Sequence, residues 1–303
     1  MIISELFPNR RSSRRFICHT ISLKEKQYYM LNRKTLYISD LDGTLLRGDQ
    51  TVSAFTAETI TKLTKKGLLF SYATARSHTT ASKVTKNLNF HIPVIVFNGT
   101  FVVDPHTKKR LISNTFTKEE TEQISDIMIK NQIFPIVNAF LGDREKFSYV
   151  LGKETRGIHA FIQERKDDLR KRAVFDNSEL YDGEVFHVAC IDEEKKLLPA
   201  YEYLKTIFPC VLYRDIYGSE TWLEIHPKGA TKASAILSLK QLLGCDKIVC
   251  FGDGKNDIPM FEIADECYAV ANAESELQAI ATAVIESNEA DGVAKWLQAN
   301  AES

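Results

Sequence analysis

Between residues 35 and 97 the chain alternates short apolar runs with longer mixed stretches, and that alternation limits its fold more than any other feature. Thr35-Leu-Tyr-Ile-Ser39, Leu68-Leu-Phe-Ser-Tyr72 and Pro93-Val-Ile-Val-Phe97 read as buried strands. Ser53 is placed to cap a helix running to about Lys66 with Gly67 at its end, and a second helix is predicted from Ser77 to about Leu88. Buried strands that alternate with helices build a parallel sheet covered on both faces. The expected class is α/β: a doubly wound, Rossmann-like parallel sheet.

After Asn98-Gly99 the pattern changes. Phe101–Val103 and Arg110–Ile112, joined through Asp104-Pro105, predict a hairpin that leaves the sheet. Thr117 and Glu120 form a capping box for a helix with Ile124, Ile127 and Met128 on one face. Strand-like segments at Ile133–Val137 and Val185–Ile191 then mix with charged stretches such as 164–172, whose mixed signs predict a solvated face. Alternation resumes near Trp222, with a helix from about Thr231 to Leu243, a strand at Lys247–Phe251 and a helix after Asn256. The expected organisation is a core of residues 34–113 and 218–303, with an α/β cap inserted at 114–217.

The chain's 303 residues suit two domains, and 44% hydrophobic with 26% charged residues is an ordinary globular composition. A net charge of −1 gives no electrostatic case for a nucleic-acid partner. No apolar run approaches the roughly 18 residues that cross a bilayer, so no membrane role is expected. The six cysteines lack CxxC spacing and several sit in apolar runs, which predicts core thiols in a cytoplasmic protein rather than disulfides. Residues 1–33 stand apart, holding +5 while the remainder holds −6. They read as a basic extension, disordered or not native, with Met30 just ahead of the first strand as an alternative start.

Four elements fall at strand-to-helix junctions, where open α/β sheets bind ligands. Asp40-Leu-Asp42-Gly43-Thr44 closes the first strand, and residues two apart on extended backbone face the same way. A carboxylate is a competent nucleophile toward phosphorus, and a second carboxyl can protonate the leaving oxygen. A calcium loop with this spacing requires Gly at its sixth position and Glu at its twelfth; here they are Leu45 and Thr51. By itself the pentad is equally well read as a turn with two solvated carboxylates. Gly252-Asp253-Gly254-Lys255-Asn256-Asp257 follows another strand and offers hard oxygen ligands suited to Mg²⁺, or simply a polar turn. Ala73-Thr74-Ala75-Arg76 opens a helix, giving either a phosphate site or a plain cap. Lys228-Gly-Ala-Thr-Lys232 supplies lysines ahead of the next helix, which alone would be ordinary surface residues.

Electrostatics tie the four together. A carboxylate approaching a phosphate dianion is opposed by about 4 kcal/mol per unit pair at about 4 Å and an effective dielectric near 20, so about 8 kcal/mol in all. A nucleophilic carboxylate therefore requires cations, and this chain offers both a metal site and a lysine.

The DxDGT pentad at 40–44 and GDGKND at 252–257, in this order, resemble the haloacid dehalogenase superfamily of phosphohydrolases. An insertion after the third strand resembles its Cof-type branch, subfamily IIB, with a large α/β cap; the likeness covers about residues 34–303. By position, the resemblance makes Asp40 the nucleophile and a metal ligand, and Asp42 the general acid/base with its backbone carbonyl on the metal. It also implies Thr74 and the N–H of Ala75 as the phosphate-binding element, Lys232 rather than Lys228 as the functional lysine, and Asp253 as a metal ligand. Asn256 becomes a phosphate contact, and Asp257 a supporting or direct ligand. The implied cofactor is Mg²⁺ and the implied partner a small phosphorylated metabolite. Ala75 departs from the Gly often found in this branch, but a helix start has negative φ and accepts Ala.

The expected activity is hydrolysis of small phosphomonoesters, such as sugar phosphates, through an aspartyl-phosphate. A sugar phosphomutase and a non-catalytic metabolite-binding protein are the alternatives. In the cap, Asn138, Lys153, Arg156 and His159 are candidate substrate contacts or ordinary surface residues, and Trp222 and Trp296 are expected to pack. Oligomeric state is not legible.

Overall fold

A computed structural model describes residues 34–214 and 220–301. The expectations for residues 1–33, including Met30 and Cys18, lie outside them. In chain order the strands are β1 (Thr35–Ser39), β2 (Leu69–Tyr72), β3 (Val94–Val96), β4 (Phe101–Val103), β5 (Arg110–Ser113), β6 (Ile136–Leu141) and β7 (Arg144–Val150). There follow β8 (Lys171–Val174), β9 (Glu184–Asp192), β10 (Cys210–Arg214), β11 (Thr221–Ile225), β12 (Lys247–Gly252), β13 (Glu266–Val270) and β14 (Ala283–Ile285).

Five of these form a parallel sheet in the order β14-β13-β12-β1-β2. Its strands are buried on both faces because their side chains alternate between two cores. Leu36 and Ile38 of β1 pack with Ile236 and Leu239 of the helix Lys232–Leu243. Tyr37 faces the other way, toward Ile60, Val293 and Leu297 from the helices Ala54–Lys65 and Gly292–Asn300. Each fully buried side chain of this size contributes about 1.5–3 kcal/mol, which is why the apolar runs settle as central strands. β3 joins through one parallel bridge, Ala73 to Ile95, then turns into the predicted antiparallel hairpin of β4 and β5.

A second sheet of six strands runs β10-β11-β9-β6-β7-β8 and is antiparallel except for β7 with β8. One face, including Val137, Val188, Cys190, Leu223 and Ile225, is covered by the helices Lys118–Lys130 and Glu194–Leu204. The capping box is present: Glu120 N–H donates to Thr117 Oγ1 at 3.2 Å, and Thr117 N–H donates to Glu120 Oε2 at 3.1 Å.

Three expectations need correction. The strand around Trp222 belongs to this second sheet, paired with β9, so the return to the parallel core comes after Ile225 rather than at 218. Its side chains alternate, with Leu223 and Ile225 buried and Trp222 and Glu224 half-buried, as in a sheet covered differently on its two faces. The strand expected at Ile133 starts at Ile136, because Pro135 has no N–H to give a ladder. The helix from Ser77 ends at Val84 rather than near Leu88.

A β-bulge in β9 governs how the two sheets meet. Pairing with β6 moves from Asn138 opposite His187 to Ala139 opposite Val185, leaving Phe186 unpaired. Phe186 and His187 consequently both turn away from the helix-covered face. Phe186 and Phe140 pack on Phe97 and Phe101 of the core, with ring centroids 4.9 Å apart for Phe97–Phe186 and 5.3 Å for Phe101–Phe140.

Candidate active site

β1 and β12 are neighbours in register, and both end at the same edge of the sheet. Asp40 N–H donates to the Phe251 carbonyl at 2.9 Å, which brings the pentad beside the Gly252–Asp257 loop. Gly43 has φ +75°, and a Cβ there would lie 2.2 Å from Asp253 Oδ2, so glycine is needed for this approach. Thr44 donates to Asp253 Oδ1 at 2.7 Å, and Asn272 Nδ2 donates to the Gly43 carbonyl at 2.7 Å.

Lys232 enters from the start of its helix, 2% exposed. Its Nζ donates to Asp40 Oδ1 at 2.5 Å and to Asp257 Oδ1 at 2.6 Å. The remaining Asp257 oxygen accepts N–H bonds from Asp253 at 3.0 Å and Gly254 at 3.1 Å. Both Asp257 oxygens are thus engaged, and the residue holds the loop and the lysine. Lys228, by contrast, is exposed and pairs with Glu120 at 3.3 Å. The helix of Lys232 is positioned by Gly99, whose φ is +97° and whose absent Cβ would meet the Thr231 carbonyl at 2.0 Å.

Carboxylate oxygens of Asp40, Asp253 and Asp257 lie within 4.8 Å of one another. Burial raises the pKa of the Asp40 carboxyl; Lys232 opposes the shift, while the charges of Asp257 and Asp253 reinforce it. Burial likewise raises Asp253, with Asp257 adding and Thr44 opposing. For Lys232 burial acts downward, but the two carboxylates outweigh it and its pKa is raised. Three carboxylates facing one ammonium leave negative charge uncompensated in a buried place. A divalent cation bound by oxygens fits that deficit.

The remaining sequence candidates divide. Thr74 is buried, its Oγ1 accepting from Arg76 N–H at 3.2 Å. Ala75 is exposed and lines a cavity of about 260 Å³ between the two sheets. Asn138 lines that cavity too. Asn256 is exposed in the turn Lys255–Asp257. Arg156 sits as a surface residue: its side chain is 88% exposed, faces Glu220 at 3.6 Å and does not line the cavity. The Asp42 carboxylate is half-exposed and held in a fork by Arg76, Nε at 2.7 Å and Nη2 at 2.5 Å, while Arg76 Nη2 also reaches Gln50 at 2.9 Å.

Sequence reasoning missed several participants. Arg76 stood in a motif already singled out, but its partner lies 34 residues away. Asn98, at φ +52°, lines the cavity and keeps a buried Oδ1 without a hydrogen-bond partner. His187, Glu224 and His226 complete the cap side of the cavity. Burial, with His226 beside it, pushes the His187 imidazole down to about 4. The spacing of Glu224 and His226, two apart at the end of β11, was the available signal. A larger cleft of about 700 Å³, lined by residues such as Lys108, Arg110, Asp143 and Glu145, holds none of the motif carboxylates.

The profile of the haloacid dehalogenase-like hydrolases matches residues 37–297. The chain belongs to that family. This hydrolase is 26% identical over 279 residues to the 5-amino-6-(5-phospho-D-ribitylamino)uracil phosphatase YitU of Bacillus subtilis, covering 89% of its own chain and 98% of the relative. It is 29% identical over 283 residues to the phosphatase YwtE of the same organism, covering 85% and 95%. A solved structure from Thermotoga maritima superposes with a TM-score of 0.72 at 23% identity, covering 89% and 98% of the two chains. A subclass IIB sugar phosphatase superposes at 0.62 with 19% identity, covering 88% and 98%; at these identities the likeness is one of fold. The resemblance to the Cof-type branch holds, and the enzyme class is phosphoric monoester hydrolase. No helix among the described residues is long and apolar enough to cross a membrane.

Proposed function

We propose that this hydrolase is a Mg²⁺-dependent phosphatase of small phosphomonoesters that works through an aspartyl-phosphate on Asp40. The observation that carries the reading is the buried ammonium of Lys232 at 2.5 Å from Asp40, beside the converging Asp253. Asp40, Asp253 and the Asp42 carbonyl would hold the cation, with Asp257 in support. When bound, Mg²⁺ neutralises phosphoryl charge and aligns the oxygens for in-line attack.

Asp40 forms the bond to phosphorus as the ester oxygen leaves, and Lys232 stabilises both the carboxylate and the phosphoryl oxygens it meets. Thr74 and the Ala75 N–H hold the phosphate, with Asn256 at the rim. Asp42, once released from Arg76 and protonated from solvent, gives that proton to the leaving oxygen, then takes one from the water that cleaves the aspartyl-phosphate. Arg76 sets the starting orientation of Asp42, and its fork must open for that transfer. The cavity facing Asn98 and Asn138 receives the leaving alcohol. YitU and YwtE are named for a phosphorylated ribitylamino compound, so phosphorylated polyols and sugars are the first substrates to test. Buried thiols at Cys190, Cys245, Cys250 and Cys267 support a cytoplasmic setting.

The test is phosphate release over a panel of sugar, polyol and nucleotide monophosphates with Mg²⁺. Asp40→Asn is expected to lose about 10³-fold or more in kcat. Near-normal turnover by that variant would sink the scheme, and isomerised sugar phosphate without released phosphate would point to a mutase.

A further inference from the structure

The cap contributes a polar constellation that the phosphatase chemistry does not use. His187 on β9 and Glu224 on β11 project from the face of the six-stranded sheet that lines the cavity, and His226 follows directly on β11. The register explains the convergence. Glu224 pairs opposite Ala189 and Ile225 opposite Val188, so His226 comes beside His187 at the end of the ladder. Residues two apart on a strand share a face, which puts Glu224 there too. The bulge at Phe186 is what turns His187 to this side.

Both imidazoles aim Nε2 at the one carboxylate. His187 Nε2 lies 3.8 Å from Glu224 Oε1, and His226 Nε2 lies 3.8 Å from Glu224 Oε2. The ring centroids are 5.0 Å apart, and one ligating atom from each residue falls within 4.8 Å of the others. A separation of 3.8 Å is too long for a hydrogen bond, yet close to the spacing of ligands around a shared ion. Bonds of about 2.0–2.1 Å in a tetrahedron place ligand atoms about 3.3 Å apart, so each imidazole must close on its carboxylate oxygen by about half an ångström, and the set of three, spread over at most 4.8 Å, by no more than about 1.5 Å.

Outer partners are in place as well. Asn138 sits opposite His187 in the ladder, with Nδ2 at 3.0 Å from His187 Nδ1. A half-turn of that amide lets its oxygen accept Nδ1–H, which leaves the Nε2 lone pair for a metal. Tyr213 donates to Glu224 Oε1 at 3.3 Å. Cys190 and Cys210 pack on the opposite face, so the donor set is two nitrogens and a carboxylate.

We propose that His187, Glu224 and His226 form a second metal site, in the cap, for a borderline divalent ion such as Zn²⁺. Two imidazoles with one carboxylate select such an ion, whereas the oxygen-only core cluster suits Mg²⁺. The three residues share their cavity with Asn98 and Thr100. The inference stands apart from the phosphatase reading and does not need it to hold.

The experiment uses full-length protein without a polyhistidine tag, stripped with chelator. Wild type is expected to bind one equivalent of Zn²⁺ that excess Mg²⁺ does not displace. Co²⁺ in its place should give the intense visible bands of a four- or five-coordinate imidazole site, without thiolate charge transfer. Asp253→Asn should keep this equivalent. The double variant His187→Ala/His226→Ala should lose it, with its fold checked by circular dichroism. Glu224→Gln, which keeps the side chain's shape, should weaken Zn²⁺ binding about tenfold or more. Wild type without such an equivalent overturns the proposal, as does undiminished binding in the double variant or in Glu224→Gln. Loss of the equivalent in Asp253→Asn would place the ion in the core and overturn it too.

Discussion

Lys232 is the residue on which the core site turns. It is buried between two carboxylates, and its removal would leave Asp40 and Asp257 facing each other without a cation. Breaking a buried pair from one side costs about 3–5 kcal/mol, so Lys232→Ala should show a loss of that size in urea denaturation without Mg²⁺. A loss near zero would mean the carboxylates are protonated or solvated instead. Gly43 offers a second residue-scale test. A Cβ there meets Asp253 at 2.2 Å on a backbone at φ +75°, so Gly43→Ala should weaken Mg²⁺ binding about tenfold or more, read by titration calorimetry. At this scale the ends of apolar runs pointed to Asp40 and Asp253, while the choice of Lys232 over Lys228 rested on the family resemblance. It could not show that Arg76 reaches back to Asp42, since nothing local encodes a contact between separate loops.

At the scale of elements, side-chain caps fix where helices begin. Ser53, Ser77, Thr117 and Thr231 each accept an N–H from the first turn, and these starts were legible because the cap and its partner are three residues apart. Asp291, at the head of the last helix, carries a pH dependence. Burial acts to raise its carboxyl, but hydrogen bonds from Ser53, Arg47 and Thr56 outweigh it and its pKa is lowered. A depressed folded-state pKa contributes stability that is present above the unfolded value of about 3.9 and lost as pH falls through the folded one. Wild type should therefore exceed Asp291→Asn in urea midpoint at pH about 7, with the gap closing as pH is lowered below about 4. A gap constant with pH would rule this linkage out. β11 escaped sequence reading for a different reason. Its apolar positions suit either sheet, and only pairing with β9 decides which one it joins.

Across the whole molecule, the uncompensated charge of the Asp40, Asp253 and Asp257 cluster links metal binding to folding. A cation that binds only the folded state at about a hundred times its Kd adds about 2.7 kcal/mol. Mg²⁺ should thus raise the melting temperature of wild type by several degrees, and chelator should reverse it. In Asp253→Asn the shift should be largely absent; an equal shift in both proteins would place the ion elsewhere. The Phe97–Phe101–Phe140–Phe186 cluster is the packed contact between the two sheets beside this site, and it fixes which cap residues face the cavity.

The amino-acid sequence by itself determined the parallel core, the helix starts and the strand ends bearing Asp40 and Asp253, because these follow from hydrophobic period and neighbours a few residues apart. Tertiary structure alone decided the rest. The contact of Lys232 with Asp40 spans 192 positions. The place of β11, the turn of His187 by a bulge, and the presence of Asn138 at the cavity all depend on strand register. Register is set by which faces are buried against which partners, and no stretch of sequence states that alone.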